Sequence, residues 1–394
     1  MTSVERHEIR YHRRKAKRLE KKLKQCGDCD DFLKVFTFEN LLSASKKCFK
    51  GVRWKSSVQK FAANRILYVA QIRQELLEGK LKIENTYEFY LYERGKKRHI
   101  RSIGIKERVV QRCLCDYSLV PMLQRTFIYD NGASMAGKGV SFTRKRLKKH
   151  LLDLIKENPD TELYVLVFDF KKYFESIPHD LIINILKKNY TDERLINLIM
   201  QFVTFSNTDK GIDLGSQISQ ILALAAANSL DHFIKETLGY KKYARYMDDG
   251  YILSNEKEWL KVVAQLIDNF VSNMGMTLNS KKTRIVKLSM GFVFLKNRYR
   301  VINNSLVITP TNSSTIRMRR KLKKFRKKLN RNEMDFNDIV YSFVSWKGHL
   351  KGSKHYHVVQ NMNKLFDTLF IDDFAHHYVR YLPDFKEGMI CISK

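Results

Sequence analysis

The chain has 394 residues, 44% of them hydrophobic, so it can build two or three subdomains and is too apolar to be disordered. Its net charge of +32 favours a polyanionic partner, nucleic acid before an acidic membrane surface. No run of about 20 apolar residues occurs, and no apolar segment follows Met1. We therefore expect neither a transmembrane helix nor a secretory signal, but a cytoplasmic, bacterial-type protein that does not bind a membrane.

Residues 1–35 are predicted to form a basic arm, because their charged composition favours a helix with few apolar positions. The arm either presents a solvated face or contacts nucleic acid. Cys26 and Cys29 form the one CxxC pair among six cysteines. A zinc site there would need two more ligands, such as His7 and His12. Reduced thiols are therefore the favoured interpretation.

The segment after the arm is predicted to contain helices, a hairpin and a loop. Apolar positions recur at helical spacing over 36–81. Tyr87–Tyr92 and His99–Ile105 are strand-like stretches around a basic turn, which predicts a β-hairpin. A helix is predicted over 106–123, and the glycine-rich segment Asp130–Gly139 is predicted to be a loop.

Two further strand-like units have acidic residues at their ends. Residues 163–168 form an apolar run that stops at Asp169, and Tyr243–Ser254 has the pattern of two strands around a turn at Asp248–Gly250. Near the C-terminus, Leu322, Phe325 and Leu329 predict a helix with one apolar seam and cationic flanks. Other helices are predicted over 180–205, 218–238 and 259–274.

Asp169 and the pair Asp248-Asp249 are the candidate catalytic residues. A strand end and a hairpin tip can bring carboxylates from distant sequence positions to within about 4 Å on one sheet, where they repel one another unless divalent cations lie between them. Two Mg²⁺ ions held in this way activate an attacking hydroxyl and stabilise the leaving oxygen of a phosphoryl displacement. The pattern therefore indicates nucleotidyl transfer.

Five motifs in chain order resemble those of bacterial reverse transcriptases, and three earlier segments are similar to the fingers of that family. The resemblance covers about residues 36–360. The motifs are Phe168–Ile177, Leu214–Gln220 with Asn228, Tyr246–Asp249, Leu278–Thr283 and Gly291–Leu295, and the fingers segments are Lys97–Arg101, Ile105–Gln111 and Asn131–Gly139.

Two positions depart from the commonest pattern of the family. Lys296 follows the last motif where glycine is usual. Gln220 follows Ser219 where retroviral enzymes usually carry proline. The Ser-Gln form is similar to that of defence-associated enzymes and of diversity-generating retroelements.

The resemblance implies an α+β fold, a right-hand polymerase with fingers, an antiparallel-sheet palm and a helical thumb. Along the chain it implies a basic N-terminal arm over 1–35, fingers over 36–160, a palm over 161–300 and a basic helical thumb over 301–394.

It also implies the roles of the site residues. Asp169, Asp248 and Asp249 would bind two Mg²⁺ ions, with Mn²⁺ as an alternative metal. The carbonyl of Phe170 would be a further metal ligand.

Three residues would contact the incoming nucleotide in the fingers and palm. Phe174 would be the aromatic gate that blocks a ribonucleotide 2′-hydroxyl, with a core aromatic as the alternative. Arg98, helped by Lys97 or Arg101, would bind the triphosphate by charge-assisted hydrogen bonds.

Two more positions complete the predicted nucleotide site. Gln220 would lie beneath the templating base pair, or would satisfy backbone groups at a helix N-terminus. Lys282 would either donate a proton to pyrophosphate or neutralise charge.

The implied activity is RNA-directed DNA synthesis from dNTPs, with a structured non-coding or template RNA, an RNA–DNA duplex and a DNA product as partners. The expected setting is anti-phage defence. The alternatives are error-prone copying in a diversity-generating retroelement, with an accessory protein or self-association, and a catalytically inactive RNA-binding protein.

Overall fold

The structure is a computed structural model that describes residue 13 and residues 27–83, 86–93, 95–204, 208–350 and 353–381. Most of the predicted N-terminal arm lies outside the described residues. So do Cys26, His7 and His12, three of the four residues considered for a zinc site.

The chain divides into two compact units. The first contains the chain up to His150 together with Val165–Ile285, and the second contains Leu151–Tyr164 and the chain from Val286 onward. The architecture is mixed, with many helices and small antiparallel sheets, as the α+β prediction requires. The division into arm, fingers, palm and thumb stays a prediction.

Helices dominate the first unit, because most of its apolar residues recur at helical spacing. The helical pattern predicted over 36–81 is confirmed as three helices, and the stretch predicted as one helix over 106–123 is two α-helices joined by a π-helical turn, Cys115–Leu119. The helices of this part of the chain are α1 Phe32–Val35, α2 Phe38–Cys48, α3 Ser56–Ala63, α4 Arg65–Leu77, α5 Ile105–Leu114, α6 Val120–Gln124 and α7 Val140–Glu157.

The predicted hairpin is confirmed as an antiparallel pair, β1 (Thr86–Glu93) and β2 (Lys96–Ile103), with Glu93 opposite Lys96. Its turn is shorter than the sequence suggested, because strand pairing extends through most of the basic segment. Four of its aromatic residues, Tyr87, Phe89, Tyr90 and Tyr92, are largely exposed.

A four-stranded sheet in the order β4-β5-β3-β6 forms the centre of the candidate site. β3 (Tyr164–Asp169) is the predicted apolar strand, and β4 (Tyr243–Tyr246) and β5 (Asp249–Ser254) are antiparallel. The chain passes into the second unit within β6 (Arg284–Lys287). The helices that follow β3 and β5 are α8 Tyr173–Ser176, α9 His179–Asn189, α10 Glu193–Thr204, α11 Gln217–Ala226, α12 Asn228–His232 and α13 Lys257–Asn273.

The turn between β4 and β5 lies one residue earlier than the sequence predicted. Tyr246 pairs with Asp249, so the two turn residues are Met247 and Asp248, and Asp249 begins β5. Met247 has a φ of 58°, a left-handed conformation that costs a non-glycine residue about 1 kcal/mol or more. Gly250 is required beside it, because a Cβ there would lie 2.3 Å from the Phe168 ring.

The second unit contains an antiparallel sheet and a helical bundle. The predicted cationic helix is confirmed, since Met318, Leu322 and Phe325 are buried on one face and pack into a core with Phe343 and Phe366. Most of its nine Lys and Arg residues between 317 and 328 lie outside that face. The elements are β7 Phe292–Phe294, β8 Asn297–Ile302, β9 Ser305–Pro310, α14 Asn312–Leu329, α15 Phe336–Gly348 and α16 Tyr356–Tyr381.

The departure at Lys296 has a structural counterpart in the turn between β7 and β8. Phe294 pairs with Asn297, so the turn consists of Leu295 and Lys296, with φ values of 46° and 68°. Glycine and asparagine fit such a turn best. Lys296 therefore adopts a left-handed backbone conformation that glycine adopts more readily.

Within the described part of the chain, no helix combines the length and the apolar composition that crossing a membrane requires.

Candidate active site

The structure brings the three predicted carboxylates together on neighbouring strands. Asp169 is the last residue of β3 and is only 3% exposed. Asp248 and Asp249 lie in the turn and first position of β5, the strand next to β3, and are half-buried. A strand end and a hairpin tip thus meet on one sheet, as the sequence predicted.

Electrostatic repulsion within this group is visible in the pKa values. Burial, and then the charge of Asp169, raises the pKa of Asp248 above its ordinary value. Burial, followed by the charges of Asp248 and Asp169, raises the pKa of Asp249 to about 7. Three carboxylates that interact in this way are unfavourable in their ionised forms unless a cation offsets their charge.

Lys282 supplies one positive charge to the group. Its ammonium forms a short ion pair with Asp169 Oδ2, and this hydrogen bond is the main reason that its pKa is raised. An antiparallel bridge between Phe170 and Leu278 holds the lysine's segment against the end of β3, and the Asn279 amide donates to the Asp169 carbonyl at 2.7 Å. The prediction that Lys282 belongs to the site is thus met in geometry, while its role stays a prediction.

The donor set fits a hard divalent cation. Asp169 Oδ1 is buried and has no hydrogen-bond partner in the structure, which leaves an acceptor for a cation. Among the described residues, no three His, Cys, Asp or Glu side chains form a ready-made metal cage. Mg²⁺ does not require one, because it usually keeps several waters and is bound by one or two carboxylates and substrate phosphates.

The main chain of Phe170, whose carbonyl is the predicted further metal ligand, directly follows Asp169. The bridge to Leu278 uses the Lys171 amide and the Asp169 carbonyl, so the Phe170 carbonyl takes no part in that pair of hydrogen bonds. Its ring is buried and packs against Tyr173 with centroids 4.6 Å apart. The side chain therefore fixes the backbone next to Asp169.

A buried ion pair that the sequence interpretation missed lies directly behind the turn. Arg245, fully buried in β4, donates to both oxygens of Asp231 at 2.7 and 2.6 Å, and Tyr243 donates to the same carboxylate at 2.5 Å. Arg245 Nη1 also donates to the Met247 carbonyl at 2.7 Å. The pair therefore holds the left-handed turn residue that precedes both carboxylates. The signal in the sequence was a charged residue at an otherwise apolar strand position.

The loop predicted over Asp130–Gly139 packs on the same turn. Asn131 bridges to Arg245, and the Gly132 amide donates to the Arg245 carbonyl at 3.0 Å. Ala133 and Met135 form a small apolar cluster with Leu224, against which Tyr246 and Met247 pack. The loop is thus a direct neighbour of the turn formed by Met247 and Asp248.

Gln220 contacts that loop and does not cap its helix. The N-terminus of α11 is capped by Ser216, whose hydroxyl accepts from the Ser219 amide. Gln220 is exposed, and its Oε1 accepts from the Ser134 hydroxyl at 3.2 Å. The alternative in which Gln220 satisfies backbone groups is therefore wrong for its side chain.

Phe174 is half-buried in α8, immediately after the strand that carries Asp169. Its ring meets Tyr173 edge-on with centroids 5.9 Å apart. Tyr173 and Phe170 are buried, whereas Phe174 keeps an accessible edge. Phe174 is thus not fully buried, and its role as a gate or as a core aromatic stays a prediction.

The structure separates the two predicted arginines. Arg98 and Arg101 are three residues apart in β2, so they project from opposite faces of the ribbon. Arg101 pairs with Glu88 at 2.7 Å and lies 3.7 Å from Asp213, near the start of α11. Arg98 is exposed. Arg101 thus fastens the hairpin to Glu88 and Asp213, and Arg98 is exposed on the opposite face of the ribbon.

Comparison with known proteins adds an independent result. A family model described as "Reverse transcriptase (RNA-dependent DNA polymerase)" matches residues 93–338, more than half of the chain. The protein YkfC of Escherichia coli (strain K12) is 20% identical over 269 residues, which cover 58% of this chain and 70% of that protein. A protein named for COX1/OXI3 intron 1 of Saccharomyces cerevisiae (strain ATCC 204508 / S288c) is 24% identical over 178 residues, 30% of this chain and 21% of that protein.

Proposed function

Because the chain belongs to the reverse transcriptase family, we propose that it copies a dedicated structured RNA into DNA at the Asp169, Asp248 and Asp249 site, in bacterial anti-phage defence. Reverse transcriptases are nucleotidyltransferases that use an RNA template, dNTPs and divalent metal ions. The observation that carries the proposal is the meeting of three carboxylates at the ends of neighbouring strands, with Lys282 paired to Asp169, inside the segment that matches the family.

The metal-binding residues in this proposal are Asp169, Asp248, Asp249 and the carbonyl of Phe170. When bound there, two Mg²⁺ ions would lower the pKa of the primer 3′-hydroxyl and stabilise the charge that develops on the leaving pyrophosphate. The chain's own contribution is positional. The buried Arg245–Asp231 pair holds the Met247 carbonyl, and with it the turn that carries two of the three carboxylates.

The remaining residues act on the nucleotide. Arg98, exposed on the hairpin, binds the triphosphate, while Arg101 keeps the hairpin fastened to Glu88 and Asp213. Lys282, which pairs with Asp169, would donate a proton to the departing pyrophosphate or neutralise its charge. Gln220, with Ser134, lies beneath the templating pair, and the cationic helix α14 contacts the backbone of the RNA–DNA duplex.

Phe174→Ala is expected to weaken sugar discrimination. The ring would block a ribose 2′-hydroxyl, so removing it should raise kcat/KM for ATP relative to dATP by about 10- to 100-fold. The measurement is single-nucleotide incorporation on a primed RNA template. Phe142→Ala, which removes a half-buried aromatic beside Tyr129, is the matched control. An unchanged ratio in a variant that still incorporates dATP would leave Phe174 as a packing residue.

The proposed function is tested by purifying the protein from cells that carry its native flanking DNA and sequencing the RNA and DNA that copurify. We expect DNA complementary to one bound RNA, and no such DNA from the Asp248→Ala/Asp249→Ala variant. Errors concentrated at template adenines would instead favour diversification. RNA without DNA in both preparations, before and after phage infection, would favour an inactive RNA-binding protein.

A further inference from the structure

A stretch without acidic residues precedes the part of the chain that the family model matches. Residues 40–74 contain eight Lys and Arg residues and no Asp or Glu. The family match begins at residue 93, so this stretch is not explained by the polymerase motifs. Its positive charge is concentrated at the end of α2 and in the turn that leads to α3, and we call residues 46–55 the basic turn.

The basic turn is held in a defined conformation. Successive backbone hydrogen bonds run through it, from the Val52 amide to the Phe49 carbonyl and from the Lys55 amide to the Val52 carbonyl, at 3.2 and 3.1 Å. Phe49 and Phe61 are each 4% exposed and meet edge-on beneath it. The turn is thus anchored by its apolar residues.

Trp54 does not pack with these buried apolar residues. Its side chain is 74% exposed, although Phe49 and Phe61 beside it in sequence are buried. A tryptophan gains much from burial, so an indole left in water on a rigid turn indicates a surface that a ligand covers. The Lys55 ammonium lies 5.4 Å from the indole centroid.

The charges around Trp54 point outward. Lys46, Lys50, Arg53 and Lys55 are all exposed. Lys47 is engaged differently, since it pairs with Asp116 at 2.8 Å and fastens the start of the turn to the rest of the unit. The surface therefore offers an exposed indole with the Lys55 ammonium beside it and further exposed cations in the same short segment.

We propose that the basic turn binds a single-stranded segment of RNA, with one base stacked on Trp54 and its flanking phosphates paired with Lys50, Arg53 and Lys55. Stacking on an aromatic ring combined with backbone neutralisation is how single strands are bound without strong sequence preference. The inference rests on the proposed function in that it names where the RNA partner is held, away from the residues that polymerise.

The test uses a 5′-fluorescein-labelled U12 RNA as the probe and follows binding by anisotropy and by quenching of intrinsic tryptophan fluorescence. Trp54→Ala is expected to weaken binding about 5- to 100-fold and to remove the quenching. In the variant Lys50→Ala/Arg53→Ala/Lys55→Ala, the slope of log Kd against log salt concentration is expected to fall by about two. Trp259→Phe removes another exposed tryptophan, 48% exposed in α13, and should change neither result.

Two further measurements separate this inference from the proposed function. Trp54→Ala should still extend a generic poly(rA)·oligo(dT) template, whereas Asp248→Ala/Asp249→Ala should lose extension and keep the quenching. Unchanged U12 affinity and quenching in a Trp54→Ala variant with an unaltered melting temperature would overturn the inference. If Trp54→Ala loses binding to phosphatidylglycerol vesicles but binds U12 RNA unchanged, the inference is also overturned. The basic turn would then be assigned to an anionic membrane surface.

Discussion

Asp248→Asn is expected to abolish primer extension while making the metal-free protein more stable. Removing one of three carboxylates should reduce the extension rate by ~10³-fold or more, because charge stabilisation at the reacting phosphate is the main contribution of such a site. The same change removes the half-buried Asp248 carboxylate next to Asp169. Burial and the charge of Asp169 raise the pKa of this carboxyl. The melting temperature should therefore rise by about 2–5 °C.

The pH dependence fixes the sign of that second effect. A carboxyl with a raised pKa in the folded state stabilises the fold fully only at low pH, and this contribution is lost as the pH rises through the folded-state value. In EDTA, the stability advantage of Asp248→Asn should thus be smaller at pH 5 than at pH 8. Lys282→Met serves as the control, because it removes the compensating cation and should lower stability at pH 8. Equal extension by Asp248→Asn and the unmodified protein would contradict the proposed site.

Arg245→Lys is expected to reduce kcat about 100-fold with little change in template–primer affinity. Lysine keeps the positive charge opposite Asp231, but it lacks the planar fork that bonds both carboxylate oxygens and the Met247 carbonyl together. The turn would then relax from its left-handed conformation, and a displacement of about 1 Å at reacting groups costs about 10²-fold in rate. Single-turnover extension measures the rate, and anisotropy with a labelled duplex measures the affinity.

The chain offers a matched control for this variant. Arg146 pairs with Asp130 in the same unit, where Lys235 also bonds that carboxylate at 2.8 Å, but Arg146 makes no contact with the Met247 carbonyl. Arg146→Lys should lose stability without a comparable loss of kcat. Should Arg245→Lys fold, bind the duplex and extend it at the normal rate, the positioning role of Arg245 would be wrong.

The elements of the candidate site could be predicted where they depend on local pattern. The apolar run before Asp169, the hairpin around Arg98 and the helix with Leu322 and Phe325 in its seam each follow from a periodicity of two or of three to four residues. That Asp169 and Asp248 lie on neighbouring strands could be predicted as well, because nucleotidyl transfer needs carboxylates from both segments around the same cations.

Contacts between distant segments could not be predicted in this way. The bond from Ser134 to Gln220 and the ion pair of Arg101 with Asp213 join residues whose separation no periodicity encodes. The turn between β4 and β5 was predicted one residue too late for a related reason. A methionine at φ 58° contradicts local preference, and tertiary contacts, among them the hydrogen bond from Arg245 to the Met247 carbonyl, stabilise that conformation.

The ion pair between Lys282 and Asp169 has a consequence for the order of events in the cell. The counter-ion is the ammonium of Lys282, whose side chain is 56% exposed, and it pairs with the buried carboxylate of Asp169. Strands β3 and β5 can therefore pair without a bound cation, since the Lys282 ammonium already neutralises part of the repulsion among their carboxylates. If cations bind at this site as proposed, folding does not depend on them.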